Sequence, residues 1–329
     1  VITKVGTPCY ASIIEDYNYV ALSRNVLGVK NIKNVNTYYL LIFLRSKYGF
    51  LQLHRNREIT IQYKITLKTT KQIKVFLPSN DFQTQIELLA KSYIEKLNYS
   101  KTLYTEAEAL LLQELDLENY QPNSKNTAEV SLSEMLKIGR MDAEYFQPKY
   151  AEFIEHLQNY KNGYKTLGEL VSLHTLNITP DKLIKHKYIE LSNIGNNGEI
   201  TGFIYDVGEN LPSRARYKIQ KNQVILSSIE GSLSSIALVT EEYDGAFCST
   251  GFYPISSETI NSETLLIFFK TIAGQTQLKR GCNGTILTAI NKDELLQITI
   301  PLIPQELQAE IAAKVQESHA HCAKKVNAC

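Results

Sequence analysis

The chain repeats itself. Asn36-Thr-Tyr-Tyr-Leu-Leu-Ile-Phe-Leu-Arg45 returns as Asn261-Ser-Glu-Thr-Leu-Leu-Ile-Phe-Phe-Lys270, displaced by 225 residues. The same displacement, without a gap, aligns Gly6 with Gly231, Ala21 with Ala246, Gly49 with Gly274 and Arg55 with Arg280. It continues through Thr60-Ile61 and Thr285-Ile286, Ile65 and Ile290, Ile73 and Ile298, Gln83 and Gln308, and Ile86 and Ile311. One short match is compatible with chance. A ladder in constant register marks a duplicated module and holds both parts of the chain to one architecture. Two such modules suit a protein that reads two sites, or the two halves of one.

The copies differ in extent. The second has a long stretch of its own upstream of Gly231, from Leu136 onward, whereas only Val1 to Val5 precede Gly6. The chain starts without Met and stops at Cys329 inside a helical pattern whose counterpart runs to Leu117. The expected organisation is a half module, a helix, a whole module and a shortened helix.

Apolar residues Ile86, Leu89, Tyr93 and Leu97, then Ala107, Leu110, Leu111 and Leu115, predict one helix over 82–117. At 1.5 Å per residue, some 35 residues span roughly 50 Å, which suits a spacer or a coiled-coil partner. Asn80 and Asp81 are candidate caps. Gln305 to Val326 resembles its opening, with Pro304 ahead of it. The two helices could lie antiparallel. A further helix is expected over 143–157, after a polar linker, Glu118 to Asn126, that contains Pro122. From Lys165 to Leu302 short strand patterns alternate with turns such as Asn196-Asn-Gly198 and Tyr243-Asp-Gly245, around a short helix over 263–271. The fold class is therefore α+β: modules of short β-strands with small helices, joined by long helices.

A chain of 329 residues can hold two domains with real cores. Its formal net charge of +1 excludes an indiscriminately basic surface and leaves local patches open. Cys9, Cys248, Cys282, Cys322 and Cys329 are scattered, without a CxxC pair, as expected of reduced thiols in a cytoplasmic protein. No apolar run approaches the ~20 residues of a membrane span.

Catalytic signals are missing. The sequence has no Asn/Asp-Pro-Pro-aromatic methyltransferase loop, no glycine-rich cofactor loop and no Walker A phosphate loop. The chain itself is expected to bind no cofactor. His319, His321 and Cys322 form a metal-like cluster, but neighbouring helical positions point apart and no fourth ligand stands out.

Three loops carry groups suited to DNA. Ser213-Arg-Ala-Arg-Tyr-Lys218 brings Arg214, Arg216 and Lys218 into a strand; arginine forks grip phosphates and read guanine. Ser227-Ser-Ile-Glu-Gly-Ser-Leu-Ser-Ser235 offers the hydroxyls of Ser228, Ser232 and Ser234 beside a glycine that permits close approach. Lys279-Arg-Gly-Cys-Asn-Gly-Thr285 leaves Lys279, Arg280 and Asn283 to reach outward. Its first-copy counterpart, His54 to Thr60, keeps framework positions and changes the rest. Plainer readings stand beside each: a solvated charged turn, a tight hairpin, divergence by drift.

At these residues the chain resembles the specificity subunits of type I restriction–modification enzymes. The resemblance runs from Val224-Ile-Leu-Ser-Ser228 through Gly231, Gly245 to Gly251, Leu265 to Phe269, Gly284-Thr285 and Leu295 to Ile300, into Pro301-Leu-Ile-Pro304, Gln308 and Ile311. Gly139-Arg-Met-Asp-Ala-Glu-Tyr-Phe146 is similar to the opening of a target-recognition domain. The resemblance implies the C-terminal part of a first recognition domain over 1–80, a long conserved spacer helix over 81–120 and a linker over 121–135. It then implies a complete second recognition domain over 136–304 and the start of a second spacer helix over 305–329. The helices would form an antiparallel coiled coil, and each domain would read half of a split target in double-stranded DNA. Arg214, Arg216, Lys218, Ser232, Lys279, Arg280 and Asn283 would face that DNA, with Ser228 and Ser234 as further candidates from the serine-rich loop. Partner modification subunits would methylate adenine with S-adenosylmethionine, and motor-nuclease restriction subunits would use ATP and magnesium. The alternative is the C-terminal recognition region of a longer fused, type IIG-like methyltransferase–endonuclease.

Overall fold

A computed structural model describes residues 1–15, 19–30, 32–59, 62–284 and 288–323. Thr60, Ile61, Thr285, Ile286, Val326 and Cys329 lie outside the described residues, as does the side chain of Cys322. The chain divides into two compact units, Val1–Asn98 and Tyr99–Cys329.

The first unit holds β1 (Ile2–Thr3), β2 (Val26–Leu27), α1 (Thr37–Arg45), α2 (Lys47–Arg55), β3 (Glu58–Ile59), β4 (Tyr63–Lys64), α3 (Leu67–Thr70) and the opening of α4 (Asn80–Glu114). Ile2, Leu27, Leu41, Leu44, Leu53 and Ile65 make its core. Asn80 is the first residue of α4 rather than its cap; the Ser79 hydroxyl accepts from Phe82 N at 3.4 Å.

The second unit continues α4 and adds α5 (Leu132–Ile138), α6 (Pro148–Gln158), β5 (Tyr164–Thr166), α7 (Leu167–Leu170), β6 (Ser172–Leu173), β7 (Lys185–Ile189) and β8 (Ile204–Val207). Then come β9 (Ala215–Lys218), β10 (Val224–Ser227), β11 (Ile236–Leu238), β12 (Phe247–Ser249) and β13 (Phe252–Ser256). It closes with α8 (Ser262–Lys270), α9 (Ile272–Gly281), β14 (Cys282–Asn283), β15 (Ala289–Ile290), α10 (Lys292–Leu296), β16 (Thr299–Pro301) and α11 (Gln305–Ala323). The helix α5 falls where the sequence predicted the end of a linker. Its seven residues are too short and too exposed for a strong apolar pattern.

Two four-stranded sheets organise this unit, in orders β11-β10-β13-β6 and β8-β7-β12-β9. Strand β10 explains the apolar run Val224-Ile-Leu226, because both of its faces are covered. Val224 and Leu226 point into a core shared with α8 and the C-terminal part of α4, while Ile225 meets Ile189, Cys248 and Phe252 from between the sheets. Thr264 to Phe269 of α8 are all buried.

The later residues of α4 pair with α11, and the pairing is antiparallel. Ser100 faces Ser318, and Glu106 accepts from Lys314 Nζ at 2.7 Å, so one number rises as the other falls. Ser100 and Ser318 each donate to the other's carbonyl, at 2.9 and 2.8 Å. Small side chains there let the backbones approach while Ala107, Leu111, Ile311 and Val315 fill the seam.

The repeat has a physical basis in side chains that hold backbone. Asn36 and Asn261 cap α1 and α8, accepting from Tyr39 N at 3.1 Å and from Thr264 N at 2.8 Å. Buried Gln83 accepts from Asn36 N at 2.8 Å, and Gln308 accepts from Asn261 N at 2.9 Å. The same glutamines donate to the carbonyls of Pro78 and Ile303. A second pair, Gln52 and Gln277, each exchanges two bonds with one backbone residue, Lys74 and Thr299 respectively. All of these partners keep the displacement of 225. Upstream the register slips by one: Ile65 N donates to Lys4 O, but Ile290 N donates to Ser228 O.

Gly49 and Gly274 recur because helices meet there. A Cβ on Gly49 would lie 2.2 Å from Phe43 O, and one on Gly274 would lie 2.5 Å from Phe269 Cα. Gly274→Ala is expected to destabilise the second unit by about 1–3 kcal/mol, as overpacking does. Gly231→Ala, where a Cβ meets nothing within 4 Å, should be near neutral. Urea midpoints of the two variants check this; equal midpoints would contradict it.

Candidate nucleic-acid interface

Backbone hydrogen bonds tie the three loops singled out from the sequence into one edge of the second unit. Thr250 N donates to Arg214 O at 2.9 Å, and the next residue, Gly251, accepts from Ser228 N at 2.9 Å. Ser228 O in turn accepts from Ile290 N at 2.9 Å, and Glu230 N donates to Thr288 O at 3.0 Å. Ile290 belongs to β15, whose partner β14 follows directly on Lys279 and Arg280 at the end of α9. Residues far apart in sequence therefore share one hydrogen-bonded ladder.

The nine candidate residues differ in their places relative to it, and Lys218 stands away from it, opposite Phe247 at the other end of β9 beside Gly245. Arg214, Lys218, Ser234, Lys279 and Asn283 are exposed. Arg216 is half-buried and already held: Nε donates to Ser213 O at 2.9 Å and Nη1 to Thr179 Oγ1 at 2.7 Å. Ser232 shares a 3.0 Å hydroxyl bond with Ser227 and stiffens the hairpin tip. Ser228 is turned inward, and its hydroxyl donates to Gly251 O at 3.0 Å. Arg280 stacks on the Tyr145 ring, with its guanidinium carbon 4.1 Å from the centroid.

Beneath this edge lies a buried cation. Arg140 is 7% exposed and forks onto Asp142 at 2.8 and 3.0 Å. It also donates to the carbonyls of Gly281 at 3.3 Å and Cys282 at 2.9 Å, which end α9. A cation there satisfies carbonyls that lack helical partners and complements the helix dipole. Its guanidinium carbon lies 4.3 Å from the Tyr145 centroid, so Tyr145 carries both Arg140 and Arg280. Burial pushes the Cys282 thiol up to about 11; Glu230 adds to that rise, while Arg140 and Lys279 oppose it.

Sequence reasoning missed Thr179, Tyr145 and the inward turn of Ser228. Tyr145 stood in the quoted segment 139–146, and an aromatic close to an arginine was a usable signal. Thr179 gave none, because its partner is 37 residues away.

Among the described residues no group of His, Cys, Asp and Glu could hold a metal ion. His319 meets Asn197 O at 2.8 Å, and the His321 ring packs edge-on against Tyr99. No described helix is long and apolar enough to cross a membrane.

Residues 153–322 match the type I restriction modification DNA specificity domain, over more than half of the chain. The chain belongs to that family. Comparison with curated proteins gave no match. Among solved structures it is similar to a chain from a study of complex assembly and conformational transition in the type I R-M system, with 30% identity and a TM-score of 0.43. That match covers 49% of this chain and 43% of the other. Similarity to the HsdS subunit of Thermoanaerobacter tengcongensis is 29% identity at TM-score 0.42, over 49% of this chain and 43% of that one. Against the type I restriction-modification S subunit of M. genitalium it is 13% identity at TM-score 0.41, over 88% and 69%. The matched part thus spans less than half the length of the first two chains. Within the specificity-domain family match lie all nine candidate residues.

Proposed function

We propose that this chain is a noncatalytic DNA-recognition component that directs adenine methylation and restriction by partner subunits. The observation that carries the reading is the ladder joining Arg214, Ser228, Glu230 and the end of α9 inside the matched specificity domain. Exposed cations on a rigid edge supply phosphate contacts, and hydroxyl and amide groups beside them suit base edges. Methyltransferase subunits would bring S-adenosylmethionine, and a motor-nuclease subunit would bring ATP and magnesium. Such a complex works on cytoplasmic DNA. The family match favours this over a recognition region fused to its own methyltransferase.

The test is binding of the purified chain to a randomised duplex library, with and without its methyltransferase subunit. A recovered motif is the expected result; a split motif with the partner would show that both units read. No motif in either condition would overturn the reading.

A further inference from the structure

An acid is out of place on a surface that meets phosphates, and Glu230 stands on this one. It is exposed, and among the described residues its carboxylate makes no ion pair. Its position is nevertheless tightly fixed. Glu230 opens a one-turn 3-10 helix, Glu230–Ser232, at the tip between β10 and β11. Its own N–H is bonded to Thr288 O at 3.0 Å, Ile229 N to Ser227 Oγ at 3.2 Å, and Ser232 N to Ile229 O at 2.9 Å. The Ser227–Ser232 hydroxyl pair closes the turn at 3.0 Å. Gly231 beside it leaves open space where a side chain would stand, so another surface can come close.

A carboxylate so placed weakens phosphate attraction and adds nothing visible to the fold. It does carry an acceptor that cations cannot supply. In the major groove, cytosine presents an amino donor at N4, and a Glu or Asp side chain accepts from it.

We infer that Glu230 is a base-reading residue of the second unit and accepts from a cytosine N4 amino group in the target. This rests on the DNA-recognition reading above. The exposed Arg214 and Lys279 of the same edge hold the DNA backbone, and the acid selects one base pair. Glu230→Gln keeps the size and exchanges the charge for an amide, which pairs with adenine N6 and N7.

The experiment is library selection with the full chain, its Glu230→Ala form and its Glu230→Gln form, with melting temperatures measured alongside. The expected wild-type motif contains a position favouring cytosine. In Glu230→Ala that preference falls by about tenfold or more, from the discrimination that one good base contact supplies. In Glu230→Gln it shifts toward adenine. The other positions and the melting temperature stay as they were. An unchanged motif in both variants, with a rise in random-sequence binding only, overturns the inference and leaves DNA recognition standing. Uniform loss at every position overturns it as well. A wild-type chain that selects no motif overturns the recognition reading itself, and the inference with it.

Discussion

Replacing Arg140 with alanine is expected to cost the second unit about 2–3 kcal/mol, the scale seen when buried acceptors lose their donor. The side chain is 7% exposed and serves Asp142 and two carbonyls at the end of α9. Removing it strands the two carbonyls beneath the surface, leaves exposed Asp142 without its cation and takes away one face of the Tyr145 stack. Against a typical domain stability of about 5–15 kcal/mol, that loss is large. Arg140→Lys should recover little, because an ammonium cannot span the carboxylate and both carbonyls as a planar fork does. Urea denaturation of the full chain measures both variants, and a midpoint within error of wild type would refute the assignment. Acid sharpens the test. The Arg140 fork holds the Asp142 carboxyl below its usual range. Stability from that pairing is present above the ordinary carboxylate pKa and is lost as pH falls through the depressed folded value. The gap between wild type and Arg140→Ala should therefore narrow in acid.

Neutralising the exposed candidate cations should produce the other large effect, on binding rather than folding. Each phosphate contact contributes roughly 0.9 to the slope of log affinity against log salt. If Arg214, Lys218 and Lys279 each grip one phosphate, the triple alanine variant loses nearly 3, about 2.7, from that slope. Its affinity for random duplex at low salt should fall by roughly a hundredfold or more, while its melting temperature holds, since all three side chains are exposed. Alanine at exposed Lys125 and Lys161, away from the ladder, is the control and should leave the slope alone. An unchanged slope in the triple variant would move the phosphate-binding face elsewhere.

Much of this architecture was legible in the sequence because it is periodic or duplicated. The long helix showed in Ile86, Leu89, Tyr93 and Leu97, and α8 in the matched decapeptides. The turns at Asn196-Asn-Gly198 and Tyr243-Asp-Gly245 showed in their residue types, and Gly198 and Gly245 do take positive φ values of 71° and 75°. What periodicity cannot encode is the direction of a side chain at an interruption. Ser227 ends β10 and Ser228 follows it, and the 3-10 turn just beyond breaks the alternation that would have distinguished Ser228 from Ser232 and Ser234. Nonlocal partnerships were equally hidden. Arg140 finds Gly281 and Cys282 across most of the second unit, and Arg216 finds Thr179. Charge alone marked Arg216 and Arg280 as candidates; only packing shows how much of each is already engaged.

The four glutamines of the repeat address main-chain atoms. Every residue type offers a carbonyl, and all but proline an amide hydrogen, so the far side of each clasp is indifferent to mutation. Lys74 and Thr299 illustrate it: the side chains differ and the clasp is the same. The chain can therefore vary what its loops present without renegotiating what its frame requires. Inheritance of the scaffold and novelty of the target are thereby uncoupled, which is the condition under which a reader of DNA can acquire a new word while keeping its grammar.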